Sequence, residues 1–263
     1  MKSTYVAFIG SGNLAWHLAA ALDNTEYAVR EVYSRNPAHA EQLVERLYEA
    51  EVKATLDFST SNCSIFILAV TDDALQDIVR EIVLPDDCVL LHTSGSQPLE
   101  VLRYAATPRI GVLYPLQTFT RDVDVDLSEV PFFVEGANPE TAEIILEMAG
   151  ALSDNVVKLT SPERLALHLS AVFASNFTNH MLYMAQEIMK ENSLSYDWLK
   201  PLIATMITKS LRIGPENAQT GPARRGEFET LDRHMQLLQD DAATAELYRV
   251  ISQDIVDRYQ ENE

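Results

Sequence analysis

The chain has 263 residues, 47% of them apolar, which is enough for one large domain or two smaller ones with a sizeable core. Asp and Glu outnumber Lys and Arg by 39 to 20, and the net charge of −19 argues against nucleic acid and acidic membranes as partners. There is no membrane-length apolar run, and the first predicted strand begins too close to Met1 for a signal peptide, so we expect a cytoplasmic protein. Cys63 and Cys88 lack metal-ligand spacing and are predicted to be buried free thiols.

The first predicted element is an apolar strand over residues 5–9 that runs directly into a glycine-rich turn and a helix to about Leu22. This is the context in which the G-x-G-x-x-A pattern binds a dinucleotide. Gly10 permits the tight turn, Gly12 lets backbone N–H groups approach a pyrophosphate, and Ala15 keeps the helix close to the sheet. The predicted cofactor contacts from this turn are Gly10, Ser11, Gly12, Asn13 and Leu14.

Strands and helices continue to alternate to about residue 160, which predicts an α/β fold with a doubly wound Rossmann-type parallel sheet over 1–160. The further predicted strands are 29–33, 52–55, 64–70, 88–92, 110–114, 132–135 and 156–159, and the helices are 36–48, 74–83 and 139–152. From residue 161 to 263 only helical periodicity remains, which predicts an all-helical second domain. Its predicted helices are 162–191, 195–213, 227–240 and 242–260.

The end of the second strand indicates which dinucleotide is bound. Enzymes that use NAD place an acidic residue there for the ribose hydroxyls, whereas this chain has Ser34 and Arg35. A guanidinium and a hydroxyl are suited to a phosphate dianion, so the pair predicts NADP(H). The alternative is that Arg35 is a solvated surface residue and that Glu31 serves as the ribose acid.

Other strand ends contribute further candidates, because ligands bind beyond the carboxyl ends of the strands in open α/β sheets. Val70 and Thr71 are predicted to contact the cofactor, and Ser94 and Gly95 to leave space beside a nicotinamide ring. Each could also be ordinary loop chemistry, and His92 reads as a strand-end histidine rather than a catalyst.

The long helix 162–191 carries a polar ridge within a predicted core stripe. The stripe comprises Leu165, Leu169, Val172, Phe173, Phe177, Met181, Met184 and Ile188. Counting 100° per residue places Ser175 close to His168 on the helix surface, with Asn176 further round. His168 is the candidate acid or base, Asn176 could orient a substrate carbonyl and Ser175 could contact substrate; the alternative is a satisfied core histidine.

The loop 214–227 is dense in glycine and proline yet rich in hydrogen-bonding groups. Arg225 could bind a substrate carboxylate in a bidentate manner, and Thr220 could contact substrate. The alternative is a rigid structural turn with solvated arginines.

Several of these motifs also resemble a known protein family. The glycine turn, the Ser34–Arg35 pair and residues 69–73 resemble the pyrroline-5-carboxylate reductase and 6-phosphogluconate dehydrogenase-like superfamily. Within this superfamily, the chain more closely resembles a bacterial family that pairs a Rossmann-like domain with a helical domain of unknown function. The segments that carry this resemblance are 92–96, 115–119, 168–176, 220–222 and 225–227.

The resemblance implies a cofactor in the first domain, a homodimer formed through the helical domain, and an active site in the cleft between the domains. The chain departs from related patterns at two positions. The catalytic lysine of the 3-hydroxyacid branch would fall at Val172, and Tyr114 stands where the bacterial family usually has histidine before proline.

Together these features predict an NADP(H)-dependent oxidoreductase that acts on a small, carboxylated carbonyl or imine substrate. Arg225 could act in its own subunit or in the partner. The alternatives are a non-catalytic NADP(H) sensor and an oxidoreductase that exchanges hydride between NADP and a deazaflavin.

Overall fold

The computed structural model describes residues 4–260 and divides the chain into two compact units, 1–174 and 175–263. The first unit contains the predicted α/β sheet, and helix α5 (Ser161–Ala171) belongs to it, whereas sequence analysis drew the boundary at residue 160. The α/β fold class followed by a helical region is confirmed.

Eight strands form one sheet in the order β3-β2-β1-β4-β5-β6-β7-β8. The strands are β1 Thr4–Ile9, β2 Tyr27–Tyr33, β3 Glu51–Lys53, β4 Ile65–Leu68, β5 Val89–His92, β6 Ile110–Pro115, β7 Phe132–Gly136 and β8 Val156–Lys158. The helices of this unit are α1 Asn13–Asp23, α2 Pro37–Val44, α3 Asp72–Glu81, α4 Pro139–Gly150 and α5. A 3₁₀ helix over Leu99–Tyr104, which sequence analysis did not predict, connects β5 to β6.

The sheet is mostly parallel, as predicted, and one pair of strands is antiparallel. β7 runs antiparallel to β6, with Leu113 opposite Val134. The connection between them, residues 116–131, has no α-helix, only the 3₁₀ turn Leu127–Glu129. A parallel pairing requires a crossover, usually a helical one, whereas a direct return produces an antiparallel neighbour.

Both faces of the sheet are covered. Along β1, Val6 and Phe8 pack into one hydrophobic cluster with residues of α1, α2 and α4, whereas Ala7 and Ile9 pack into a second cluster with residues of α3. A strand buried on both faces reads as a continuous apolar run, and this is the pattern that β1 and β4 show. Cys63 and Cys88 are buried free thiols, as predicted, and burial raises their pKa values to about 12 and about 11.

The predicted helix 162–191 is interrupted. A π-helical stretch over Val172–Phe177 separates α5 from α6 (Thr178–Glu191). The count of 100° per residue therefore does not hold between His168 and Ser175, since a π-helix has more residues per turn, and such stretches are frequent at functional sites.

The second unit contains helices joined by turns and loops and no strand in its described part, as predicted. After α6 its helices are α7 Lys200–Ile213, α8 Pro215–Ala218, α9 Phe228–Leu237 and α10 Ala242–Gln260. Of its described side chains only Ala223 and Thr244 are buried. The predicted core stripe of helix 162–191 is therefore wrong for the single chain. The large side chains Leu165, Leu169, Phe173 and Phe177 are all exposed.

Within residues 4–260 no helix has both the length and the apolar character required to cross a bilayer.

Candidate functional site

The glycine turn has the geometry that the sequence predicted. Gly10 has φ +113°, and a Cβ there would lie 2.1 Å from the carbonyl oxygen of Ala69, so only glycine fits. The backbone N–H of Gly10 donates to the carbonyl of Tyr33 at 2.8 Å, which ties the turn to the end of β2. Gly12 lies at the N-terminus of α1, and a Cβ there would meet nothing within 4 Å. The space in front of the helix N-terminus is thus open to a phosphate group.

A cavity of about 520 Å³ opens beside this turn, where the strand order reverses between β1 and β4. This is the position at which open α/β sheets bind nucleotides. The lining residues include eight of the predicted cofactor contacts: Gly10, Ser11, Gly12, Asn13, Ser34, Arg35, Val70 and Thr71. His39 and Arg121 also line it, and neither was predicted. Leu14, Ser94 and Gly95 are not part of this lining; Leu14 packs against the hydrophobic core.

The end of β2 presents a free cation to the cavity. Arg35 is exposed and makes no hydrogen bond or ion pair with any described residue. Ser11 Oγ donates to Ser34 Oγ at 2.9 Å, which joins the glycine turn to the end of β2. Glu31 is buried, accepts a hydrogen bond from Ser61 Oγ at 2.6 Å and does not line the cavity. These contacts give no support to the alternative in which Glu31 binds the ribose.

The loop that follows β5 lies against the loop that follows β4. Thr93 Oγ1 donates to the carbonyl of Leu68 at 3.3 Å, and Ser96 Oγ donates to a carboxylate oxygen of Asp72. Ser94 Oγ accepts the backbone N–H groups of Ser96 and Gln97, at 3.1 and 3.0 Å. The hydroxyl of Ser94 therefore stabilises the conformation of its own loop.

A tyrosine–histidine pair lies beside the same loop. Tyr114, at the end of β6, places its Oη 3.1 Å from Nδ1 of His168 on α5, and the two rings meet edge to face. Burial raises the pKa of the Tyr114 phenol, and the positive charge of Arg164 opposes part of that rise. The phenol therefore keeps its proton at neutral pH. Gly95 packs against both rings, and a Cβ there would lie 2.6 Å from Nδ1 of His168.

Helix α5 is anchored by an ion pair that sequence analysis missed. Arg164, one turn before His168, is fully buried and pairs with Glu135 on β7. It also donates to the carbonyl of Gln97 at 2.6 Å. Removing either partner would leave a buried charge without compensation, at a cost of about 3–5 kcal/mol. Arg164 lies four residues before His168 and on the same helix face, and this spacing was the sequence signal from which its role could have been predicted.

His92 supports the loop that carries Ser94 and Gly95. Its side chain is fully buried, and its Nδ1 accepts the backbone N–H of Ser94 at 3.1 Å. Burial, assisted by the nearby charge of Arg164, lowers the pKa of His92 to about 3, so the ring is neutral at physiological pH. His92 is thus a structural histidine at a strand end, as sequence analysis favoured.

The remaining predicted site residues belong to the helical unit. Ser175 and Asn176 lie in the π-helical stretch, with Ser175 half-buried and Asn176 exposed. Arg225 forms a bidentate ion pair with Glu227, at 2.6 and 3.1 Å. Thr220 lines a largely apolar cavity of about 420 Å³ within this unit.

Comparisons with known proteins agree with this architecture. Residues 2–115 match the Rossmann-like domain, and residues 130–255 match the domain of unknown function DUF2520. A crystal structure from Bacteroides fragilis, named as a candidate NADP oxidoreductase, is 36% identical with a TM-score of 0.87 and covers 97% of this chain and 99% of its own. The chain belongs to this family, in which a Rossmann-like domain is followed by DUF2520. A search of curated proteins gives no match.

More distant structures share the fold. Protein TM1727 from Thermotoga maritima is 20% identical with a TM-score of 0.72, covering 98% of this chain and 99% of its own. A reductive aminase from Aspergillus terreus, solved with NADPH and ethyl-5-oxohexanoate, is 16% identical with a TM-score of 0.70, covering 99% and 94%.

Proposed function

We propose that the protein is an NADP(H)-dependent oxidoreductase that reduces the C=O or C=N bond of a small, carboxylated substrate. The observation that carries the proposal is the cavity at the glycine turn, with open space at Gly12 and the unpaired guanidinium of Arg35 facing it. The net charge of −19 repels anions from the chain as a whole. An unpaired guanidinium in a cavity is a local positive charge that can nevertheless bind an anionic ligand. The name of the Bacteroides fragilis relative supports the same cofactor.

The residues at the end of β2 support NADP(H) over NAD(H). Ser34 and Arg35 offer a hydroxyl and a guanidinium to a 2′-phosphate. Asn36 caps α2, and the N–H groups of that first turn add a partial positive charge. No carboxylate is found in the lining of this cavity; Asp73, Asp77 and Glu81 line a neighbouring cavity that shares Arg35.

The cofactor, when bound, supplies hydride to the substrate carbon. The carbonyl oxygen or imine nitrogen must receive a proton, and the N–H at Nε2 of His168 would donate it while the Tyr114 hydroxyl passes its own proton to Nδ1; solvent then returns a proton to the Tyr114 oxygen. If Tyr114 donates its O–H to Nδ1 of His168, the ring carries its proton on Nε2, and this nitrogen remains available to substrate. Tyr114 lies at the carboxyl end of β6 and Gly95 follows the carboxyl end of β5, at the sheet edge where the cofactor cavity opens.

Substrate contacts by Ser175, Asn176, Thr220 and Arg225 stay predictions. Arg225 has the fork geometry that a carboxylate requires, and Glu227 occupies that fork. A substrate carboxylate would therefore have to displace Glu227, in the same subunit or in a partner.

The test is the oxidation of NADPH in the presence of 2-oxo acids, 3-oxo acids and cyclic imines, followed by absorbance. With an active substrate we expect His168→Ala to lower kcat about a hundredfold or more, and Tyr114→Phe about tenfold with a changed pH profile. Tyr104→Phe is the matched control, because Tyr104 is exposed and its ring contacts the guanidinium of Arg80. Tight NADPH binding without turnover of any substrate would favour the sensor, and an unchanged rate in His168→Ala would remove His168 from the mechanism.

We also propose that the protein is a homodimer formed through its helical unit. This unit buries almost none of its described side chains, and Trp198, Leu202 and Leu211 are 68%, 65% and 84% exposed. Apolar side chains exposed in such number mark an interaction surface, and a second copy of the chain brings an equally apolar face to cover it.

A further inference from the structure

A short segment after β6 lies across the glycine turn. We call residues 119–121 the strap. The side chain of Asn13 donates to the carbonyl of Phe119 at 3.0 Å, and Nε2 of His17 lies 2.8 Å from the carbonyl oxygen of Thr120. The rings of His17 and Phe119 also pack with centroids 5.6 Å apart. The strap is thus fastened to the first turns of α1, the helix whose N-terminus faces the cavity.

The last residue of the strap, Arg121, directs a cation into the cofactor cavity. Its guanidinium donates to the carbonyl of Ser11 at 2.7 Å and to Oε1 of Gln42 at 3.0 Å, and it lies 4.6 Å from the centroid of the Trp16 ring. Both hydrogen-bond acceptors are neutral. Among the described residues no carboxylate pairs with Arg121, so its charge is not neutralised.

The neighbours of Arg121 indicate which part of a dinucleotide it would meet. Ser11, whose carbonyl it contacts, donates its hydroxyl to Ser34 at the end of β2. Gln42 belongs to α2, the helix that begins just after Arg35. Arg121 therefore approaches the cavity from the side of Ser34 and Arg35, where the 2′-phosphate is expected.

We propose that Arg121 is a second guanidinium ligand of the 2′-phosphate of NADP(H), acting together with Arg35. The inference rests on the proposed function, in that it takes the cavity to bind NADP(H). A phosphate dianion carries three terminal oxygens, and two guanidinium groups from separate segments can satisfy it more fully than one. Trp16, the carbonyl of Ser11 and Gln42 hold the Arg121 side chain in place before the ligand arrives, which reduces the ordering cost of binding.

The test compares calorimetric binding of 2′,5′-ADP, which carries the 2′-phosphate, with that of 5′-AMP, which lacks it. We expect Arg121→Ala to weaken 2′,5′-ADP about ten- to a hundredfold and to change 5′-AMP less than about twofold. Arg46→Ala is the matched control. Its guanidinium lies 4.3 Å from the same Trp16 ring but does not line the cavity, so both ligands should bind as before.

Arg121→Lys controls for a folding defect, because lysine retains the positive charge and the aliphatic side chain but lacks the planar guanidinium group. It should weaken 2′,5′-ADP severalfold and leave 5′-AMP unchanged. An equal loss for both ligands, or no loss for either, would overturn the assignment of Arg121. If the unaltered protein binds neither 2′,5′-ADP nor NADP⁺, the proposed function fails and this inference fails with it. Normal binding by Arg121→Ala refutes this inference alone.

Discussion

Replacing Gly95 by alanine would insert one methyl group between Tyr114 and His168. The added Cβ would lie 2.6 Å from Nδ1 of His168 and 2.7 Å from Cζ of Tyr114. Gly95 does not have a positive φ, so its backbone accepts alanine and the effect is one of space alone. Ordinary contact distances are about 3.5 Å, so at least one ring must move by about 1 Å. The hydrogen bond between Tyr114 and His168, now 3.1 Å long, would then break.

We expect this overpacking to lower the free energy of unfolding by about 1–3 kcal/mol, measured by urea denaturation. The NMR chemical shifts of the His168 ring protons should change in the same variant because the hydrogen bond to Tyr114 is lost. Gly150→Ala is the control, since a Cβ at this helical position meets nothing within 4 Å and should leave stability unchanged or slightly raised.

A double variant tests whether the added methyl group acts on the Tyr114–His168 pair. In a His168→Ala background the closest atom to the new methyl group is gone, and the Tyr114 ring gains room to move. The cost of Gly95→Ala should then fall by at least half. An equal loss of unfolding free energy with and without the His168 side chain would show that the added methyl group does not act on the Tyr114–His168 pair.

Three further predictions follow from the site and the surface. Arg35→Ala should weaken NADPH about ten- to a hundredfold and barely affect NADH in fluorescence titrations, and equal losses for both would mean that Arg35 does not read the 2′-phosphate. Because the folded-state pKa of His92 lies below its unfolded value, its contribution to stability is present above about pH 6.5 and lost as pH falls. Between pH 7.5 and pH 5 this histidine should account for about 2 kcal/mol of the lost stability. In His92→Asn the free energy of unfolding, measured by urea denaturation, should therefore fall by about 2 kcal/mol less over the same range. Equal pH dependence in the two proteins would contradict this. Leu211→Asp should halve the molecular mass measured by light scattering. Val123→Asp should leave the mass unchanged, because Val123 is 59% exposed but lies in the other unit. A monomeric mass for the unaltered protein would exclude the dimer.

Much of the cofactor site could be predicted from sequence because its parts are local. The turn at Gly10 and Gly12 follows a strand and precedes a helix, and the Ser34–Arg35 pair ends the next strand, so chain order alone brings them to one sheet edge. Arg121 was missed because the residues that orient it, Ser11 and Gln42, are far from it in the chain.

The Tyr114–His168 pair shows the same limit. His168 stood out as a polar residue in a helical apolar stripe, but its partner Tyr114 lies 54 positions earlier at the end of a strand. In the sequence, Tyr114 stands out only as a departure from a family pattern. The exposure of Leu165 and Leu169 was also missed, because helical periodicity identifies an apolar face and does not say what covers it.

By itself, the sequence determined the alternation of strands and helices, the phosphate turn and the all-helical second half. These depend on patterns within a few residues, such as periodicity, helix caps and glycine conformations. Only the tertiary structure decided that β7 runs antiparallel to β6, that Glu31 is engaged by Ser61, and that Arg121 and Arg35 line one cavity. The physical reason is that each of these depends on contacts between distant segments, whose partners are chosen by packing and burial rather than by local preference.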